Sequence, residues 1–141
     1  MHKIALIGAG RIGRIHAANV AARPELELAY VVDPIADAAK SLAASYNAKV
    51  ADLDGALGDA SVSGVIVASS TDTHLDFSLR AAQAGKAIFC EKPIDLDLAR
   101  AESAAPQFEA ARARMFLAFN RRFDPNFATL KRKLDAGDVG A

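Results

Sequence analysis

K-I-A-L-I-G-A-G-R-I-G-R, running from Lys3 to Arg14, is the stretch on which the fold of this chain turns. Ile4, Ala5, Leu6 and Ile7 form a short continuous apolar run, the pattern of a parallel strand buried on both faces. Gly8, Gly10 and Gly13 follow at once in a G-x-G-x-x-G spacing. The residues from Arg11 to Arg23 then predict a helix that stops before Pro24. Between a strand and a helix each glycine has a task. Gly8 makes the tight turn, Gly10 lets the backbone approach a pyrophosphate, and Gly13 lets the helix pack closely on the strand. Free amides around Arg11 and Ile12, at the positive end of the helix, suit a diphosphate. Asp33 stands twenty positions beyond Gly13, at the end of a second apolar run from Leu26 to Val32. A carboxylate there accepts hydrogen bonds from the adenosine ribose hydroxyls and repels a 2′-phosphate. Pro34, Ile35 and Ala36 supply no Arg for that phosphate, so the pattern favours NAD over NADP. The plainer alternative makes the glycines a generic turn and Asp33 the N-cap of a helix from about Ile35.

The alternation continues along the chain. Helices are predicted over 36–46, 52–57, 73–84 and 126–136, with the last ended by Gly137. Strands are predicted over 49–51, 62–68, 87–92 and 115–119. Asp95 is the expected N-cap of a helix starting near Leu96, and Pro106 predicts a break or kink in it. Six strands separated by helices make an α/β doubly wound parallel sheet, a Rossmann arrangement, as one domain over residues 1–141. A hydrophobic content of 52% with mean hydropathy +0.12 implies a packed core rather than disorder. Seventeen basic and seventeen acidic residues cancel, which gives no electrostatic case for nucleic acid or an anionic membrane as partner. There is no run of eighteen apolar residues and no signal-peptide layout, so no membrane span and a cytoplasmic location are expected. Cys90, the single cysteine, excludes an internal disulfide and lacks partners for a zinc cluster, so no metal is expected.

Three further clusters fall at predicted strand ends, where open parallel sheets bind ligands. Ser69-Ser70-Thr71-Asp72-Thr73-His74 follows the fourth strand. Ser70, Thr71 and His74 either line the cofactor groove near a ribose or the nicotinamide, or Thr71 or Thr73 caps the next helix and His74 is solvated. Glu91-Lys92-Pro93 closes the fifth strand. A lysine there can hold a substrate hydroxyl or assist its proton transfer, whereas a lone lysine is commonly a solvated charge. Cys90 reads as a buried small apolar residue. Phe119-Asn120-Arg121-Arg122-Phe123-Asp124-Pro125 follows the sixth strand, and its arginines suit a phosphate, a carboxylate or a ribose edge. Lys131, Arg132 and Lys133 read as a solvated helix face.

Three blocks together resemble the Gfo/Idh/MocA family of oxidoreductases. They are A-L-I-G-A-G-R-I-G-R-I-H-A near the N-terminus, A-G-K-A-I-F-C-E-K-P-I-D-L-D-L in the middle and F-N-R-R-F-D-P-N-F towards the C-terminus. The resemblance implies an NAD-dependent dehydrogenase that oxidises a ring secondary alcohol, of a polyol such as inositol or of a sugar, to a ketone. It implies that Lys92 is catalytic and that Glu91, His74 and Arg122 line the cofactor or active-site cleft. The family pattern also includes a second, mostly β domain that carries a D-x-x-x-H base and assembles oligomers. His2, His16 and His74, the only histidines, all precede Glu91-Lys92-Pro93. The expectation is therefore a cofactor-binding half, weakly active or inactive alone, with a homo-oligomer left open. A non-catalytic NAD-binding sensor, or a self-associating interaction module, would fit the same residues.

Overall fold

Each apolar run becomes a strand of one parallel sheet. In the computed structural model, which describes residues 1–138, the strands are β1 (His2–Ile7), β2 (Leu26–Val32), β3 (Lys49–Val50), β4 (Val62–Val67), β5 (Ala87–Cys90) and β6 (Met115–Leu117). The helices are α1 (Arg11–Ala21), α2 (Ala36–Ser45), α3 (Leu53–Gly58), α4 (His74–Gln83), α5 (Leu98–Ala110) and α6 (Pro125–Asp135). Residues 139–141, the end of the expected domain, lie outside the described residues.

The strand order is β3-β2-β1-β4-β5-β6, every neighbouring pair parallel. The order reverses between β1 and β4, and a doubly wound sheet opens a crevice at that point. Ala5, Leu6 and Ile7 are buried on both sides, as a central parallel strand requires. Leu6 packs with Ala17, Val20, Val31 and Leu42 on one face, and Ile7 with Val65, Val67, Ile88 and Cys90 on the other. Burial of a Leu or Ile side chain contributes about 1.5–3 kcal/mol, so the glycine loop hangs from the best-anchored strand of the sheet.

Several boundaries differ from the sequence expectation. β5 ends at Cys90, which leaves Glu91 and Lys92 in the turn beyond it, and β6 ends at Leu117. Asp97, not Asp95, caps α5: its carboxylate accepts from the Ala99 amide at 2.8 Å and the Arg100 amide at 3.4 Å. Pro106 does not break α5, which runs through it. Ala104 is buried while Glu102 and Pro106 are exposed, so water can satisfy the carbonyl that loses its helical partner. Asp33 is not an N-cap either, because Ile35 occupies that position of α2.

Candidate functional site

Register brings the strand ends into one row. Ile7 pairs with Val32 and with Val67, and Val67 pairs with Cys90. The next residues, Gly8, Asp33, Ala68 and Glu91, therefore stand side by side at the carboxyl edge. Backbone bonds extend the row: the Gly8 amide donates to Val32 O at 2.8 Å, and the Glu91 amide to Val67 O at 2.9 Å.

Gly8 has φ +104°, a backbone conformation that side-chain-bearing residues rarely adopt. A Cβ there would also stand 2.7 Å from the Ser69 amide nitrogen. At Gly13 a Cβ would collide with the Gly8 carbonyl, its carbon only 2.9 Å away, so α1 can approach the loop only through a glycine. Gly10 differs from both. Its φ is −70° and a Cβ would meet nothing within 4 Å. The direction is open because Gly10 borders a groove of about 300 Å³ with Gly8, Arg11, Ile12, Asp33, Ala68, Ser69 and Ser70. Of the residues singled out from sequence, Gly8, Gly10, Arg11, Ile12, Asp33 and Ser70 thus share one cavity, with Gly13 directly beneath it.

Asp33 is tied into the loop. Its Oδ2 accepts from the Ala9 amide at 2.7 Å and its Oδ1 from the Ile35 amide at 2.8 Å. A carboxylate has about four acceptor positions, so two amides leave it capacity for further donors. The Ala9 bond was not anticipated, since a backbone amide carries no sequence signal.

Lys92 and Arg122 lie in a second cleft of about 500 Å³, bounded also by Phe119, Asn120 and Arg121. Both cations are exposed, and the Lys92–Pro93 peptide bond is cis. Arg121 is otherwise engaged: it donates to Asp124 Oδ2 at 3.2 Å and sits 4.9 Å from the centre of the Phe127 ring. The Asp124 carboxyl is held below its ordinary value, chiefly by the Asn126 amide it caps.

The structure gives His74, Thr71 and Glu91 the following places. His74 neither lines the groove nor is solvated. It is 2% exposed, with Nδ1 2.8 Å from Pro93 O and Nε2 3.1 Å from Ser69 O. Thr71 starts a 3-10 turn outside the groove lining. Glu91 is turned towards α1, where its Oε1 accepts from His16 Nε2 at 2.8 Å. His16 was not singled out from sequence, although it follows Gly13 by three residues and so lies on the same helix face. The pair borders a hollow of about 490 Å³ with Ile12, Phe89, Phe116 and Phe123. Cys90 is buried as expected, and burial pushes its thiol pKa up. No group of three or more possible metal ligands occurs among the described residues. No described helix is long and apolar enough to cross a membrane.

The chain is similar to several inositol dehydrogenases. An inositol 2-dehydrogenase of Rhizobium meliloti is 40% identical over 138 residues, which are 98% of this chain and 42% of that protein. A myo-inositol dehydrogenase structure from Corynebacterium glutamicum superposes with TM-score 0.88 at 38% identity, covering 100% of this chain and 43% of that one. A scyllo-inositol dehydrogenase of Lactobacillus casei, solved with NAD(H) and scyllo-inositol, gives 0.89 at 28% identity, over 99% of this chain and 42% of that one. The chain therefore spans less than half the length of these relatives. The family model described as "Oxidoreductase family, NAD-binding Rossmann fold" matches residues 2–119, and the chain belongs to that family, Gfo/Idh/MocA.

Proposed function

We propose that this chain is the NAD-binding part of an oxidoreductase that oxidises a ring secondary alcohol, of a polyol such as inositol, to a ketone. The observation that carries this reading is the open space at Gly10, at the strand-order reversal, with Asp33 across the same groove. A side chain at position 10 would fill the volume that a diphosphate needs. Arg11, Ile12 and Gly13 would present the unpaired amides of α1 to it, since the first helical bond runs from the Arg14 amide to Gly10 O. Asp33 would accept the adenosine ribose hydroxyls and disfavour a 2′-phosphate. Bound NAD supplies the hydride acceptor. Lys92, exposed in the second cleft, would hold the substrate hydroxyl and ease loss of its proton, with Arg122 bounding the same space.

The relatives named above as inositol dehydrogenases support the substrate class. On this reading residues 1–141 form one NAD-binding domain, the partner is a small polyol or sugar, and the protein works in the cytoplasm. Titration calorimetry with NAD and with NADP tests it. Binding of NAD at least about tenfold tighter than NADP is expected, a difference of about 1.4 kcal/mol. A folded chain that binds neither would overturn the proposal.

A further inference from the structure

Lys92 is exposed on a short turn, yet the reaction proposed above needs its amine held in one direction. Its own side chain cannot provide that, because a free lysine has several rotatable bonds and a hydrated head. The residues on either side of it fix the backbone from which that side chain starts. Glu91 accepts from His16 of α1, and the Pro93 carbonyl faces Nδ1 of His74 of α4. The two helices come from separate halves of the fold, one beginning at the glycine loop and the other after β4. His16 is further seated edge-on against Phe89 of β5, ring centres 5.1 Å apart. His74 is almost fully buried, and its Nε2 faces Ser69 O, a wall of the cofactor groove.

We propose that His16 and His74 are positioning residues that bracket Lys92. They tie its turn to α1, which opens at the glycine loop, on one side and to α4 on the other. The inference rests on the functional reading only for the use made of Lys92; the bracket itself stands on the contacts.

Donor identity makes it specific. His16 acts through Nε2, whose place the side-chain nitrogen of Gln takes, whereas Asn is too short. His74 reaches Pro93 through Nδ1, whose place the side-chain nitrogen of Asn takes, whereas Gln carries its donor too far out. The ring at His74 faces two carbonyls, both acceptors, and a neutral imidazole has a single N–H. The shorter contact, to Pro93 O, assigns that proton to Nδ1.

The test is the backbone order parameter of Lys92 from 15N relaxation of the NAD-free chain. The samples are wild type, His16→Ala, His16→Gln, His16→Asn, His74→Ala, His74→Asn and His74→Gln, each shown by circular dichroism to be folded. Wild type should read about 0.85, and the Ala variants below about 0.6. His16→Gln and His74→Asn should recover the wild-type value, while His16→Asn and His74→Gln should not. Asn and Gln behaving alike at either position would show that volume, not the donated bond, holds the turn, and would overturn the proposal. So would an unchanged order parameter in both Ala variants. Calorimetry with NAD on wild type separates the two claims: the crossed pattern without NAD binding would support the bracket and sink the functional reading alone.

Discussion

Gly10→Ala separates binding from folding more sharply than any other single change in this chain. Its φ of −70° suits alanine, and the added methyl meets no atom within 4 Å, so the NAD-free fold has nothing to rearrange. Gly10 is the N-cap of α1, where alanine is somewhat poorer than glycine, so the expected stability loss is within about 1 kcal/mol. Binding is a different matter. The methyl projects into the groove of about 300 Å³ beside Arg11, Ile12 and Asp33. A diphosphate displaced by a methyl would lose at least two charge-assisted bonds from the α1 amides, each worth about 1.5–3 kcal/mol. A loss of about 3–6 kcal/mol weakens affinity roughly 100- to 20,000-fold. Urea denaturation and calorimetry with NAD on the same preparations provide both readouts. An alanine variant that binds NAD within about threefold of wild type would refute the assignment of the groove.

Gly13→Ala should behave in the opposite way. The atoms it meets are backbone, so overpacking of about 1–3 kcal/mol outweighs the helix-propensity gain of about 1 kcal/mol, and the urea midpoint should fall. Asp33→Ala strips the acceptor from the Ala9 amide, whose residue is 1% exposed, and should lower stability by about 1–3 kcal/mol while narrowing the preference for NAD over NADP; unchanged selectivity would remove the ribose role. Lys86 is 8% exposed, and its ammonium donates to Asp59 O at 2.8 Å and Val62 O at 2.9 Å. Lys86→Met should therefore cost about 1–3 kcal/mol in urea unfolding and leave NAD affinity alone. Bonds from Ser61 and then Tyr30 lower the Asp59 carboxyl from its ordinary 3.8 to about 2. A depressed carboxylate stabilises the fold above its unfolded value, and that contribution disappears as pH falls through about 2. Tyr30→Phe should move the Asp59 midpoint back towards 3.8 in a carboxyl NMR titration, and no movement would remove Tyr30 as a cause.

The sequence alone determined the order and kind of the elements, because buried parallel strands require unbroken apolar runs and helices between them require a different period. It also determined the glycine loop and the acid on the neighbouring strand, since Gly8 and Gly13 occupy backbone positions where a side chain will not fit and Asp33 follows at a set distance. Most of the groove was legible for that reason. Where a run is short, local pattern carried less. β6 stops before Ala118 and Phe119, β5 ends with its apolar run at Cys90 rather than at Lys92, and α5 passes through Pro106 because an exposed carbonyl there can bond water. Tertiary structure alone decided the partners of the polar side chains. His74 is buried with its Nδ1 on the Pro93 carbonyl, and His16 found Glu91 across 75 positions of chain. An imidazole can donate to any acceptor that packing brings near, and only the register of the sheet sets which acceptors those are.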